Sequence, residues 1–161
     1  SRGLGDVYKR QGFNCNTIFC DIKTNLGDNY AREVKINELK ETSDIISLHT
    51  NLNKSSRHII DKQFIDDCKK SFCLINTARG ECVSNHDLIY GLESDKIIGA
   101  GLDVLENENK DFEGIAVDQN LDKLKKFENV ILTPHIAGWS KESKVKLAQI
   151  TVSKIKEFLD L

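Results

Sequence analysis

The chain lacks several features that would assign it to a protein class at once. It contains no methionine, only one proline, and no apolar run near the roughly 20 residues that cross a bilayer. Its N-terminus does not have the charged-then-apolar layout of a secretory signal. From these two features we expect a cytoplasmic protein. Because an initiator methionine is missing, we expect the 161 residues to be a piece of a longer protein.

An excess of charge of one sign is also missing. The 23 lysines and arginines nearly balance the 25 aspartates and glutamates, and no basic stripe interleaves with aromatic residues. A surface that neutralises phosphates is what nucleic-acid binding requires. We therefore expect neither a nucleic acid nor a membrane as a partner.

The five cysteines are odd in number and form no Cys-x-x-Cys pair. Neither a disulfide framework nor a zinc site is favoured by that spacing. We expect buried, reduced thiols and no metal. Cys82 lies close behind Arg79 and is the candidate for a reactive thiol, but nothing near it in sequence would activate it.

Apolar segments typical of strands alternate with apolar segments typical of helices from Gly12 onward. The pattern predicts strands over 16–20, 33–35, 45–49, 97–104 and 129–133, and a further strand that starts at Phe72 and stops in a polar turn. It predicts helices over 36–42, 61–70, 85–93, 121–127 and from about 140 to the end. Strands that alternate with helices indicate crossover units, so we expect an α/β fold with a doubly wound parallel sheet.

Three predicted strands lead into residues that carry chemistry. Arg79 follows the strand that starts at Phe72, Glu108 follows the strand over 97–104, and His135 follows the strand over 129–133. Ligands of open α/β sheets bind just beyond the carboxyl ends of the strands, so these three residues form a candidate catalytic set. Singly, each has a simpler interpretation: a surface ion pair, one acid of an acidic loop, or a histidine that closes a strand.

Such a set suits the oxidation of a 2-hydroxy acid beside a nicotinamide ring. The planar fork of Arg79 can hold the substrate carboxylate and the C2 oxygen in one geometry. The hydroxyl loses a proton as hydride leaves C2, and His135 is the natural base because histidine titrates near neutrality. Glu108, bonded to the far ring nitrogen, would fix the tautomer and favour the protonated imidazole. Asp103 would lie beside the nicotinamide amide.

Asp21, at the end of the strand over 16–20, bears on the cofactor. In dinucleotide-binding folds an acid at this point accepts hydrogen bonds from the adenosine ribose and repels the 2′-phosphate of NADP, so Asp21 favours NAD. An aspartate after a strand is also a common turn or cap residue. The polar loop that starts at Thr50 lies at another carboxyl edge, where a cofactor could lie across it. His49 either contacts that cofactor or closes its strand.

Residues 1–11 are excluded from the fold prediction. Gly3 and Gly5 suggest a phosphate loop, but such a loop needs a preceding strand and a third glycine, where this chain has Tyr8. Residues 6–11 can be written as GAT GTG TAT AAG AGA CAG, which resembles a transposase end sequence left by DNA-library preparation. We interpret 1–11 as a sequencing or cloning scar. The alternative is an ordinary first helix.

Three ordered segments resemble the signatures of the D-isomer-specific 2-hydroxyacid dehydrogenases. They are Asn-Thr-Ala-Arg-Gly at 76–80, Gly-Ala-Gly-Leu-Asp-Val at 99–104 with the acids at 106 and 108, and Asn-Val-Ile-Leu-Thr-Pro-His-Ile-Ala-Gly at 129–138. The resemblance extends from Gly12 to the C-terminus. It implies a Rossmann-like NAD-binding domain over 12–140, usually in a homodimer, with a helix over 141–161 that leads back toward a substrate domain.

The resemblance also implies a role for individual residues. Arg79 would bind substrate, His135 would be the acid/base, and Glu108, rather than Glu106, would be its partner. The cofactor NAD would be contacted by Asp21, His49, Thr50, Thr77, Ala78, Arg79, Asp103, His135, Ala137 and Gly138. The pair Asp21-Ile22 most resembles phosphoglycerate dehydrogenases, which favours 3-phosphoglycerate as the substrate, with lactate and glyoxylate or hydroxypyruvate as alternatives.

The chain departs from the family at two places that have proline in most members, Asn51 and Asn109, and at the glycine fingerprint, which should precede Gly12. We therefore expect the sheet to lack its first βα unit, and the chain alone to be inactive and to bind NAD weakly. A corepressor-like protein that senses NAD on the same fold is the alternative, although it would not need the Arg, Glu and His set. A different NAD enzyme, such as an alanine dehydrogenase, would need other residues at these strand ends.

Overall fold

The computed structural model describes residues 15–107 and 119–159, and these form six strands and five α-helices. The strands are β1 (Ile18–Phe19), β2 (Arg32–Glu33), β3 (Ile45–Leu48), β4 (Phe72–Asn76), β5 (Ile97–Leu102) and β6 (Val130–Leu132). The helices are α1 (Ile36–Thr42), α2 (Lys62–Asp67), α3 (Asn85–Glu93), α4 (Gln119–Leu124) and α5 (Lys141–Phe158). A 3₁₀ turn covers Gly80–Cys82.

The strands form a parallel sheet, which confirms the predicted α/β class. The main sheet has the order β3-β4-β5-β6, with every pair parallel, while β1 and β2 form a separate parallel pair. The register aligns Leu48, Asn76, Leu102 and Leu132 in one row across the main sheet. The carboxyl ends of all four strands therefore meet at one rim.

Helix starts follow from local capping residues. The side chain of Asp61 accepts the backbone N–H of Phe64 at the start of α2, and Ser84 and Ser140 do the same for α3 and α5. Each cap satisfies a backbone donor that has no partner inside the helix. Helix α2 ends earlier than predicted because Cys68 takes an extended conformation and is buried.

One face of the sheet holds the core. Leu74, Ala100 and Leu102 on that face are buried in the same cluster as Ile65 of α2 and Leu88 of α3. Burial of each leucine or isoleucine side chain of this cluster contributes about 2 kcal/mol before entropy is subtracted. The helices α2 and α3 thus fix the sheet from one side.

The opposite face is exposed in the described part of the chain. Ile45, Ile75 and Ile131 lie on it, and Ile131 is 69% exposed. Gly101 of β5 pairs with Ile75 and Ile131 on this open face, and a Cβ there would meet nothing within 4 Å. At Gly99 a Cβ would meet its neighbours only at the ordinary distance of 3.5 Å.

The cysteines differ in exposure. Cys68 and Cys82 are buried as expected, but the prediction is wrong for Cys15 and Cys20, which are exposed because the short β1–β2 pair buries little around them.

Helix α5 buries none of its described side chains, so its apolar positions, which are spaced three and four residues apart, are exposed. Within residues 15–107 and 119–159, no helix has the length and apolarity needed to cross a membrane.

Candidate functional site

The candidate residues lie along the rim where β3, β4, β5 and β6 end. In the aligned row, the next residue on each strand is His49, Thr77, Asp103 or Thr133. Asp103 N–H donates to Asn76 O at 2.9 Å and Thr133 N–H donates to Leu102 O at 3.0 Å, so the pairing continues past the strands. Since adjacent strands lie about 4.8 Å apart, the turns after β4 and β6 are roughly 10 Å apart.

The turn that carries Arg79 is held by Asn76. This asparagine is 1% exposed, its Oδ1 accepts the N–H of Ala78 at 3.1 Å, and its Nδ2 donates to Arg79 O at 3.0 Å. Arg79 itself is exposed, and its Nη1 donates to Ala78 O at 2.6 Å. A buried amide therefore ties down both sides of a turn that presents a guanidinium to solvent.

A cavity of about 240 Å³ opens between the ends of β3 and β4. It brings together five of the residues predicted from the sequence, and it is lined by Leu48, His49, Thr50, Asn51, Thr77, Ala78 and Arg79. Ser47 Oγ lies 2.9 Å from His49 Nε2, and Thr50 Oγ1 lies 3.4 Å from the buried Cys82 Sγ. The burial of Cys82 argues against a reactive thiol.

The turn that carries His135 is organised by Asp103. This carboxylate is 5% exposed, and its Oδ1 accepts the hydroxyl of Thr133 at 2.5 Å and the N–H of Ile136 at 2.8 Å. Its Oδ2 accepts the N–H of Ala137 at 2.9 Å, and its backbone oxygen accepts the N–H of His135 at 2.8 Å. One residue at the end of β5 therefore holds the whole turn after β6.

The same contacts determine the ionisation of Asp103. Burial raises its pKa. The hydrogen bonds from Thr133 and from the backbone of Ala137 and Ile136, with a smaller contribution from His135, lower the pKa by more than burial raises it. The net pKa lies below the ordinary value of a carboxyl group. Asp103 is therefore an anion that three donors stabilise.

His135 adopts a left-handed backbone conformation, with φ of 53°. That conformation costs an L-residue about 1 to 2 kcal/mol and persists where the surrounding structure holds it. Here the Asp103 contacts on both sides of His135 supply that restraint. Pro134, the one proline of the chain, fixes the backbone just before this strained residue.

The sequence and the fold of this chain match those of known proteins. Residues 6–137 match the family model described as D-isomer specific 2-hydroxyacid dehydrogenase, NAD binding domain. The chain belongs to this family. The matched region includes the Arg79 turn, Asp103 and His135, and it begins inside the segment 1–11, whose interpretation as a scar stays a prediction.

Individual family members cover the chain but extend well beyond it. A D-specific alpha-keto acid dehydrogenase of Enterococcus faecium is 32% identical over 97% of this chain and 49% of its own length. An aromatic 2-oxoacid reductase of Clostridium sporogenes is 36% identical over 80% of this chain and 40% of its own length. The D-lactate dehydrogenase of Lactobacillus jensenii, solved with NAD⁺, superposes with a TM-score of 0.84 at 31% identity, over 94% of this chain and 47% of that chain. The chain thus spans about half the length of these relatives.

Two predicted site residues of this 2-hydroxyacid dehydrogenase domain are not joined to the rim by described contacts. Asp21 is exposed after β1, and its Oδ1 accepts the N–H of Lys23 at 2.9 Å, which is the turn geometry of the alternative interpretation. Glu108 lies outside the described residues. Glu106 is engaged elsewhere, with His58 and with the N–H of Asn85.

Sequence reasoning missed three residues of the site. Asn76 was included only as a member of a motif, Gly80 was not singled out, and His58 was not considered. A Cβ at Gly80 would lie 1.8 Å from the backbone oxygen of Leu105, so only glycine fits beneath that loop. The polar residue at the last position of an apolar strand, Asn76, was the signal available in the sequence.

Proposed function

We propose that this chain is the NAD-binding part of a dehydrogenase that interconverts D-2-hydroxy acids and 2-oxo acids. The observation that carries the proposal is the pair of restrained turns on one rim. The Arg79 turn is held by buried Asn76, and the His135 turn is held by buried Asp103. Restraint of both turns is what a site for substrate binding and proton transfer requires.

Arg79 is proposed to bind the carboxylate of the 2-oxo acid. A guanidinium presents its N–H donors as a planar fork, which matches a carboxylate with two parallel hydrogen bonds. The Nη1 contact with Ala78 O holds the guanidinium over its own turn. Binding at this point would set the C2 carbonyl of the substrate between the ends of β4 and β6.

His135 is proposed to act as the general acid and base. In the reductive direction the protonated ring gives its proton to the C2 oxygen, and in the oxidative direction it takes the hydroxyl proton. Glu108 is proposed to pair with the second ring nitrogen, where a carboxylate favours the protonated ring and fixes its tautomer. Asp103 holds the turn of His135 and, by this proposal, also faces the nicotinamide amide.

The residues of the rim fit NAD. The cavity of about 240 Å³ between β3 and β4 is lined by Thr50 and Thr77 beside the Arg79 turn. Asp21 is proposed to accept hydrogen bonds from the adenosine ribose. Ala137 and Gly138, which follow His135 in its turn, are also proposed to contact NAD. When bound, the reduced cofactor supplies the hydride that C2 of the substrate accepts.

The proposed substrates are small 2-oxo acids and their D-2-hydroxy counterparts. The relatives are named for D-lactate, alpha-keto acids and aromatic 2-oxoacids, which supports this class. The choice of 3-phosphoglycerate rests on Asp21-Ile22 alone and stays a prediction. A homodimer is likewise proposed from the resemblance, and the cytoplasmic location stays a prediction.

The test uses the full-length dehydrogenase that contains this chain. His135→Ala should lower kcat for reduction of pyruvate and phenylpyruvate by about 100-fold to 10,000-fold, the range that a general acid supplies. His86→Ala is the matched control, because His86 is a largely exposed histidine on α3 that pairs with Asp87. Near-normal turnover in His135→Ala, or an equal loss in the control, would contradict the assignment.

A second pair of variants tests substrate binding. Arg79→Lys keeps the charge but loses the fork, so KM for the 2-oxo acid should rise about tenfold or more. Arg57→Lys makes the same change at an exposed arginine outside the cavity and should leave KM unchanged. Hydroxypyruvate phosphate, the 2-oxo form of 3-phosphoglycerate, completes the substrate panel.

A further inference from the structure

Glu106 joins two distant segments of the chain. Its Oε1 lies 2.5 Å from His58 Nε2, 48 residues away, and its Oε2 accepts the backbone N–H of Asn85 at 3.0 Å. The Glu106 side chain is only 19% exposed. Both carboxylate oxygens therefore tie the loop after β5 to the start of α3 and to the segment that precedes α2.

The loop that Glu106 anchors rests directly on the turn of Arg79. A Cβ at Gly80 would lie 1.8 Å from Leu105 O and 2.7 Å from Glu106 N, so the two backbones touch where Gly80 has no side chain. Gly80 is the residue that follows Arg79 and is itself buried. Any displacement of the loop at 105–106 is therefore transmitted to the Arg79 turn.

His58 holds the same turn from the other side. Its backbone N–H donates to Glu81 O at 2.8 Å, while its ring contacts Glu106. The turn closes on itself through the N–H of Cys82, which donates to Arg79 O at 3.1 Å. The Arg79 turn thus lies between two segments that the carboxylate of Glu106 connects.

Backbone strain is present at both ends of this connection. His58 has φ of 50° and Asn107 has φ of 62°, and neither is glycine. Left-handed conformations of this kind persist in L-residues where the surrounding contacts hold them. The contacts of Glu106 are the described interactions that join these two strained positions.

We propose that Glu106 and His58 are positioning residues that set the place of Arg79 for binding the substrate carboxylate. This inference rests on the proposed function, in which Arg79 is the substrate-binding residue. A fork that must meet a carboxylate with two parallel bonds tolerates little displacement, and misplacement by about 1 Å can cost 100-fold in rate. Glu106 acts through the turn and does not touch the substrate.

The experiment compares Glu106→Ala, Glu106→Gln and His58→Ala in the full-length dehydrogenase, with pyruvate and phenylpyruvate as substrates and NADH fluorescence for cofactor affinity. In Glu106→Ala and His58→Ala, kcat/KM should fall about tenfold or more, mainly through KM for the 2-oxo acid, while the Kd for NADH changes less than about twofold. Glu106→Gln should lose less, because its amide oxygen can still accept the N–H of Asn85. Glu81→Gln, which removes a carboxylate from the same turn, is the control and should behave as wild type.

Three outcomes decide the matter. A wild-type enzyme that reduces none of the 2-oxo acids overturns the proposed function, and this inference with it. An active wild type with unchanged KM in His58→Ala and Glu106→Gln overturns the positioning role alone, whether or not Glu106→Ala folds. A parallel rise of KM and of the Kd for NADH also overturns it, because that result would mean a general loss of structure.

Discussion

Asp103, at the end of β5, binds the turn after β6 with both its side chain and its backbone. Its carboxylate accepts the hydroxyl of Thr133 at 2.5 Å, and its backbone oxygen accepts the N–H of His135 at 2.8 Å. Two neighbouring strands are thus joined beyond the last residue of either one. The candidate acid/base of the site lies in a strained conformation that this junction maintains. The stability of the rim and the backbone conformation of His135 are for this reason coupled.

Asp103→Asn should destabilise the chain at neutral pH. An asparagine oxygen can still accept from Thr133 and Ile136, but its amide would face the N–H of Ala137 and leave it unpaired. Hydrogen bonds to an ionised group contribute about 2 kcal/mol, and this is the expected loss in the free energy of unfolding at pH 7. Urea denaturation of the 161-residue chain measures it.

The difference between wild type and Asp103→Asn should depend on pH in one direction. The folded-state pKa of Asp103 lies below its ordinary value, while the unfolded value is about 3.9. The stabilisation is therefore complete above the unfolded pKa and is lost as pH falls through the folded pKa. Denaturation curves at stepwise lower pH should converge, and a gap that widens on acidification would refute the assignment.

His135→Gly should be more stable than His135→Ala. Both variants remove the imidazole, but alanine at φ of 53° keeps the strain of the left-handed conformation and glycine does not. The glycine variant should exceed the alanine variant by about 1 kcal/mol in the free energy of unfolding, although both lack the imidazole ring. Asp95, with φ of 54° beyond the end of α3, provides the control: the same comparison there should give the same sign.

Gly80→Ala should be strongly destabilising. Its Cβ would lie 1.8 Å from Leu105 O, and that clash is with backbone that cannot rotate away. A loss of about 3 kcal/mol is expected, together with a raised KM for substrate, because Arg79 would move with its turn. Gly101→Ala places the same methyl group where nothing lies within 4 Å, and it should change stability by about 0.5 kcal/mol or less. Equal effects at the two positions would exclude close packing as the cause.

Asp21→Ala should relax the preference for NAD over NADP in the full-length enzyme. In the role proposed for Asp21, its carboxylate accepts hydrogen bonds from the ribose hydroxyls and repels the 2′-phosphate, and the variant removes both effects. The ratio of kcat/KM for NADH to that for NADPH should fall about tenfold or more. Asp28→Ala is the control and should leave this ratio unchanged, because Asp28 is an exposed aspartate of the same region that accepts the backbone N–H groups of Tyr30 and Ala31. An unchanged ratio in Asp21→Ala would assign Asp21 to the turn alone.

Local sequence determined the order and type of the elements. Helices over 36–42 and 85–93 have the bounds that the sequence predicts. For the helix over 85–93 the reason is local, because the Ser84 cap and the apolar spacing act within a few residues. The residues that follow the strands, Arg79 and His135, were likewise readable, since a buried apolar run that ends in a polar turn marks a strand end. Parallel pairing then places such ends together, which is a consequence of the alternation of strands and helices.

Tertiary structure alone decided what holds those residues in place. The contact of Glu106 with His58 spans 48 residues, and the three donors to Asp103 come from a turn about 30 residues further on. No local pattern encodes such pairings, because they depend on strand register and on the left-handed backbone at His58, Asn107 and His135. The sequence by itself determined which chemical groups reach the rim, while side-chain hydrogen bonds between distant segments determined how each group is aimed.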